Sequence, residues 1–299
     1  MPRPTHPPSA VPSPAPAAAG GFAADFVARV LADARREGVR VYGLSGLQGT
    51  GKSTLAAQLA EAARAQGLRV ATLSLDDVYL DRPQREALAR EVHPLLATRG
   101  PPGTHDLPLA LATLDALRAG RPVRLPRFDK LADRRRPEAE WPLAEAVDLT
   151  ILEGWCLGAP AQAPDALAAP LNALERGEDA DGRWRRWCND ALARDYPALW
   201  ARVDRLLFLQ PPGFDIVPAW RWQQECALQA AEPARRGMTR AQVERFVQHY
   251  ERVSRQALRT LPALADAVAP LDAARAPAPD APRVRRAAPP DARPTRPRR

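Results

Sequence analysis

The chain has 299 residues, 45% of them apolar, enough for one large core or two small ones and too apolar for global disorder. Its formal net charge of +8 suggests a nucleic-acid partner until it is divided along the sequence. Residues 271–299 hold eight Arg against three Asp, and residues 1–20 add one Arg, which leaves about +2 on residues 21–270.

The first twenty residues, MPRPTHPPSAVPSPAPAAAG, are broken by prolines and lack the charged start and apolar centre of a secretory signal. No apolar run approaches the ~20 residues that cross a membrane. Three cysteines, Cys156, Cys188 and Cys226, form no CxxC pair and are odd in number. They read as buried free thiols in a reducing cytoplasm, with neither a disulfide framework nor a zinc site. Residues 1–20 and 270–299 are Pro, Ala and Arg mixtures with almost no large apolar side chains. Both are expected to be disordered, flanking one folded domain over 21–269.

Within that domain apolar runs alternate with helical patterns. Residues 39–44 read as a buried strand, 52–66 as a helix closed by Gly67, and 68–75 as a second strand. Asp106 can cap a helix through Ala119, with Gly120 just past its end. Residues 146–152 and 203–209 read as further strands, with helices expected at 215–230 and 239–260. Strands alternating with helices predict an α/β fold, a mostly parallel sheet with helices on both faces. No internal repeat is present.

Between the first strand and the first helix lies GLSGLQGTGKSTL, residues 43–55. Gly46, Gly51, Lys52 and Ser53 fit G-x-x-x-x-G-K-[ST] in its confirming context, a strand entering and a helix leaving. Gly46, Gln48, Gly49, Thr50, Gly51, Lys52, Ser53 and Thr54 are therefore expected to cradle the phosphates of a nucleotide, in a loop that by itself suits a kinase, a GTPase, a motor or a transporter ATPase alike. Glycines let the backbone curl until successive N–H groups point inward, and the helix N-terminus adds partial positive charge. Lys52 is expected to reach the β- and γ-phosphates, and the Ser53 hydroxyl to ligate Mg²⁺.

In TLSLDDVYL the apolar run passes straight into Asp76 and Asp77 at the strand's C-terminal end, the edge where parallel sheets bind ligands. Two carboxylates there serve either as base and Mg²⁺ ligand or as helix caps. Glu153, at the end of ILEGWCLG, either holds metal-bound water and orients the nucleotide or caps a loop. Of 43 basic residues only Lys52 and Lys130 are lysine. Where an ammonium persists among so many arginines, its compact point charge is expected to matter.

These stretches, with TRGPPGTHDLPLALATLDAL, VRLPRFDK, RWQQE and GMTRAQVERFVQHYERV, run in order over residues 39–255 and resemble the D-glycerate 3-kinase family. That family is a branch of the P-loop kinases which also includes phosphoribulokinase, uridine kinase and bacterial pantothenate kinase. The resemblance implies phosphoryl transfer from Mg²⁺-ATP to D-glycerate, giving 3-phosphoglycerate. It makes Asp76 the catalytic base and a metal ligand, with Ser53 and Glu153 completing the metal set. Asp77 serves Mg²⁺ or substrate positioning, and Tyr79 becomes a substrate-side residue. Arg127 and Lys130 become ligands for a carboxylate or phosphate, or remain solvated loop charges. His105 and Asp106 resemble a substrate-side pair, or cap the helix that follows. Arg221 resembles a lid arginine over the ATP phosphates, with a surface salt bridge as the other reading; Trp220 and Trp222 are expected to pack.

The chain departs from the family after PRFDK, where Phe128 and Asp129 replace the usual Tyr and Asn and the sequence continues LADRRRPEAEW. The charged segment ERGEDADGRWRRW, residues 175–187, is expected to form a flexible lid. A different small hydroxylated acceptor, of the uridine, pantothenate or ribulose 5-phosphate type, is the alternative within the same chemistry. A nucleic-acid-associated NTPase is the alternative outside it, disfavoured because the basic charge lies outside the domain. Cutting the chain after residue 270 is expected to spare a kinase and to disable a nucleic-acid-dependent NTPase. No membrane or nucleic-acid partner is expected, and the oligomeric state is left open.

Overall fold

The computed structural model describes residues 21–231 and 237–285. Helix α1 (Ala24–Ala34) precedes strand β1 (Val41–Gly46), followed by α2 (Lys52–Ala65) and β2 (Val70–Ser74). A 3₁₀ turn at Leu75–Val78 leads to α3 (Arg82–Glu91) and α4 (Leu107–Arg118). Two small ribbons then precede β3 (Leu149–Gly154). Helices α5 (Ala173–Glu178), α6 (Arg183–Arg194) and α7 (Pro197–Trp200) lead to β4 (Arg205–Gln210). Helices α8 (Val217–Ala231) and α9 (Arg240–Leu264) come before β5 (Ala267–Pro270) and β6 (Arg283–Val284).

The six strands form one sheet in the order β6-β5-β4-β1-β3-β2, parallel except for β6. Alternate residues supply the two cores, as the two-residue period of a strand requires. Tyr42, Leu44, Leu149, Ile151, Leu207 and Leu209 face α1 and α2. Val41, Leu152 and Phe208 face α4 and α9 on the other side. The expected α/β architecture is thus the observed one, and the four expected strands fall within a few residues of β1 to β4.

Parallel pairing sets the site. Ser45 lies opposite Gly154, and Ser74 opposite Glu153, so the phosphate loop, the Leu75–Val78 turn and Glu153 all leave the sheet at the same edge.

Three expectations are corrected. Residues 271–285 are not a loose tail: Leu271 N donates to Gln210 O at 2.8 Å, Leu271 and Ala281 are buried, and β6 closes the sheet. Composition misjudged this stretch because it needs no core of its own. Ladder bonds and a few apolar side chains docked on an existing core offset its ordering entropy. The other expected disordered segments, 1–20 and 286–299, lie outside the described residues. The charged segment 175–187 is not a loose lid either, because three of its charges, Glu175, Asp179 and Arg185, are buried and paired. Asp179 and Arg185 pair at 3.0 Å with both side chains buried, and Glu175 pairs with Arg252 of α9 at 2.6 Å. Finally, Cys156 and Cys188 are buried as expected, but Cys226 is exposed on α8. No helix among the described residues is long and apolar enough to cross a membrane.

Candidate active site

The phosphate loop leaves β1 at Gly46 and enters α2 at Lys52. Gly49 and Gly51 take φ of +82° and +87°, a region side chains rarely adopt. At Gly49 a Cβ would sit 2.6 Å from Cβ of Trp220, so the loop closes against α8 only with glycine there. Thr50 is buried and its hydroxyl donates to Leu47 O at 2.9 Å. Neither polar atom of the Gln48 amide has a partner among the described residues, although both are buried. Lys52 is 9% exposed and its ammonium donates to Leu47 O at 3.0 Å. Burial pulls its pKa down, while the carboxylates of Glu153 and Asp76 oppose that pull. Ser53 and Thr54 lie exposed in the first turn of α2.

Glu153 Oε1 accepts from the Ser53 hydroxyl at 2.8 Å and from the Ser74 hydroxyl at 2.9 Å. A hydroxyl and a carboxylate brought together beside the phosphate cradle are hard oxygen donors of the kind Mg²⁺ selects. The loop's curled backbone, the unpartnered Gln48 amide and the internal lysine equally fit a polyphosphate. The residues present therefore suit Mg²⁺-ATP.

Asp76 and Asp77 sit in the first turn of the Leu75–Val78 segment, which Ser74 caps by accepting from Asp76 N at 3.2 Å. The aspartates are thus free of capping duty. Asp76 Oδ1 accepts from the Tyr79 hydroxyl and Oδ2 from the Lys130 ammonium, both at 2.5 Å. Burial pushes the Asp76 carboxyl up, but the charge and hydrogen bond of Lys130, the Tyr79 hydroxyl and the charge of Lys52 outweigh it and hold the pKa at about 2. Burial works against the Lys130 charge too, yet Asp76, Glu153 and Asp77 raise its pKa. Asp77 differs: burial raises its pKa, only partly offset by Arg127, whose guanidinium lies at 3.4 Å.

Lys130 reaches Asp76 from a hairpin in which Phe128–Asp129 pairs with Arg134–Arg135. This is the stretch that departs from the family pattern. Asp129 shapes its tip by accepting from the backbone N–H groups of Leu131 and Ala132. Phe128 packs edge-on against Tyr79, with ring centres 5.3 Å apart.

The remaining expected residues divide. His105 is 5% exposed, its ring 5.1 Å from that of Tyr79 and its Nδ1 2.6 Å from the Tyr196 hydroxyl. Burial lowers its pKa to about 4. It therefore buttresses Tyr79 as a neutral ring from behind. Asp106 caps α4 by accepting from Leu109 N at 3.0 Å and also pairs with Arg135 at 2.8 Å. Arg221 is bonded elsewhere, to Glu225 at 2.9 Å, and lies over the ring of Phe246. Its Nη1 is buried without a partner among the described residues.

No family model matches the chain. An uncharacterized kinase of Schizosaccharomyces pombe, mug58, is 34% identical over 221 residues, covering 70% of this chain and 78% of that protein. A solved D-glycerate 3-kinase from Cryptococcus neoformans superposes with a TM-score of 0.66 at 27% identity, covering 84% of this chain and 94% of that one. The chain belongs to the same kinase family as mug58. The chloroplastic D-glycerate 3-kinase of Arabidopsis thaliana is 31% identical over 225 residues, which are 70% of this chain and 46% of that longer protein. Membership makes the chain an ATP-dependent small-molecule kinase.

Around the kinase's two aspartates the structure adds cations that the sequence reading passed over. Arg135 donates to Tyr79 O at 3.1 Å and to Asp106, and its Nε is buried without a partner among the described residues. Arg99 pairs with Asp133 at 2.6 Å, and its carbonyl accepts from the Tyr250 hydroxyl. Asp133 also pairs with the buried Arg85 at 2.7 Å. Arg99 stands in TRGPPGTHD, a stretch already marked by its family resemblance; nothing local distinguished Arg135 from its neighbours Arg134 and Arg136.

Proposed function

We propose that the kinase transfers the γ-phosphoryl group of Mg²⁺-ATP to a primary hydroxyl of D-glycerate, giving ADP and 3-phosphoglycerate. The observation that carries this reading is the acceptor side of Asp76. Lys130 and Arg127 stand on its carboxylate pair, with Arg99 and Arg135 close behind, a small cationic surround suited to an acceptor that bears a carboxylate. A nucleoside acceptor would call for an aromatic and amide-lined pocket instead. The relatives named as D-glycerate 3-kinases support the same choice.

Asp76 is the base. It accepts the hydroxyl proton as the new bond to phosphorus forms and the bond to the ADP oxygen breaks. A base of low pKa suffices, because the proton leaves late in phosphoryl transfer and positioning and charge neutralisation dominate. Lys52 turns from Leu47 O toward the transferred group. Ser53 and Glu153, together with Asp76, would hold Mg²⁺, which would supply positive charge to offset that of the phosphates. Asp77 and Tyr79 fix the Asp76 carboxylate and the acceptor-side loop, and Arg127 and Lys130 bind the anionic end of the acceptor.

ADP release should be measured with Mg²⁺-ATP against D-glycerate, L-glycerate, uridine, pantothenate and ribulose 5-phosphate, with Asp76→Asn as control. Turnover on D-glycerate alone, lost in Asp76→Asn, is the expected result. Turnover only on another acceptor would keep the phosphate-loop chemistry and overturn the glycerate assignment.

A further inference from the structure

The stretch between β5 and β6 is not used by the reaction as described, yet it lies against the phosphate loop. Arg275 stands at its turn with φ of +68°, a conformation unfavourable to any residue with a side chain. That backbone aims its guanidinium at the loop. Nε donates to Gly49 O at 2.6 Å and Nη2 to Gln223 Oε1 at 3.0 Å. The guanidinium also stacks over Trp220, 4.8 Å from the ring centre, and the Trp220 indole donates back to Ala273 O at 3.0 Å. Trp220 is the residue against which Gly49 closes. Among the described residues no carboxylate pairs with Arg275, and burial lowers its pKa.

Peptide planarity gives these contacts a consequence. The Gly49–Thr50 peptide is trans, so its C=O and N–H point in opposite directions. With Gly49 O held by Arg275 on the outside, Thr50 N–H is turned to the inside of the loop. There, among the described residues, its partner is Leu47 O in a long hydrogen bond of 3.3 Å, one that an anion can displace. An arginine that no carboxylate among the described residues neutralises adds positive potential at the same place.

We propose that Arg275 is a positioning residue for the nucleotide. It sets the Gly49–Thr50 peptide in its phosphate-binding orientation and thereby couples docking of residues 271–285 to occupancy of the loop by a nucleoside di- or triphosphate. By reciprocity of linkage, bound nucleotide tightens the docked segment, and the docked segment tightens nucleotide binding. The inference rests on the phosphate-loop reading and not on the identity of the acceptor.

The test uses the full chain and Mg²⁺-ADP, which needs no acceptor. Calorimetry should show the ADP Kd rising about tenfold in Arg275→Ala, as for loss of one hydrogen bond from a charged group, with Arg275→Lys intermediate. In turnover the KM for ATP should rise in parallel while the KM for the acceptor moves less than twofold, a split that general loosening of the fold would not produce. ADP should slow amide hydrogen exchange of residues 271–285 in the wild type and not in Arg275→Ala. Equal ADP affinity in wild type and Arg275→Ala, or no protection of 271–285, overturns the inference. Absence of ADP binding by the wild type would instead overturn the phosphate-loop reading. Should Arg275→Ala fail to fold, Arg275→Gln and Arg275→Lys carry the same comparison.

Discussion

Lys130→Met removes the cation on the proposed base, and the structure sets the size of the effect. The Asp76 carboxyl is held at about 2 against an ordinary value of 3.8, with Lys130 the foremost opponent of its burial. A displacement near two units corresponds to roughly 2–3 kcal/mol in favour of the ionised form. The Lys130 side chain is 56% exposed, so solvent screens its charge and ~1–2 kcal/mol is the working figure, or about one pH unit. A depressed carboxyl is ionised above its folded value and protonates as pH falls through it. Without Lys130, burial acts unopposed by that cation, and the acid limb of kcat/KM moves upward by about one unit or more. Near pH 8, where Asp76 is ionised in both forms, turnover should still fall by about 10²-fold, because a cation that holds the acceptor's anionic end against the base is lost. The assay is the pH dependence of kcat/KM for wild type, Lys130→Met and Lys130→Arg. An acid limb in Lys130→Met that superimposes on the wild type after scaling by a constant would refute the argument that Lys130 governs the ionisation of the base.

Asp76→Asn should lower kcat by about 10²–10⁴-fold while leaving ADP affinity within a few-fold, checked by turnover and calorimetry. Glu153→Gln should raise the Mg²⁺ concentration needed for half-maximal turnover at fixed ATP; an unchanged requirement would remove Glu153 from the metal set. Arg252→Met strands the buried Glu175 carboxylate and should cost about 3–5 kcal/mol in denaturant unfolding, whereas Arg252→Met with Glu175→Leu should recover most of it. His105 and His249 are both lowered by burial to about 4 from 6.5, so the unfolded chain binds more protons between those values. Stability should fall as pH drops from about 6.5 to 4, by up to about 3 kcal/mol for each, and an unfolding midpoint flat from pH 7 to 5 would contradict it.

The phosphate loop was legible because its code is local: Gly46, Gly51, Lys52 and Ser53 specify a backbone path and two ligands within eight positions. Asp76, Asp77 and Glu153 were legible because each ends an apolar run, and the parallel register then brings those ends to one edge. What was hidden depends on contacts distant in sequence. Arg135 is one of three successive arginines, and only the hairpin pairing of Phe128 with Arg135 turns it toward Tyr79 and Asp106. Residues 271–285 look like linker by composition, since the core they dock on belongs to β4, β5 and α1. Glu175 in the charged stretch 175–187 looks solvated until Arg252, some seventy residues on, is placed against it. Cutting after residue 270 removes β6 and Arg275, so by the inference above the cut chain is expected to bind ADP more weakly, which calorimetry checks.

The two lysines bear on why the site resists arginine. Both lie beside Asp76, where Lys52 and Lys130 each act on its carboxylate. Lys52 fills a closed loop, where its ammonium donates to Leu47 O. A planar fork with five donors there would leave several unpaired inside the cradle. At Asp76 the oxygens are divided, Oδ1 to Tyr79 and Oδ2 to Lys130. A point charge on one oxygen leaves lone pairs of the carboxylate open to the acceptor hydroxyl. A bidentate guanidinium would span both oxygens, compete with Tyr79 and close that access. Lys130→Arg should therefore keep the low acid limb, since the charge remains, and still lose turnover, since the base is covered. Full activity in Lys130→Arg would mean that charge alone is required at this position and that the division of the two oxygens has no catalytic role.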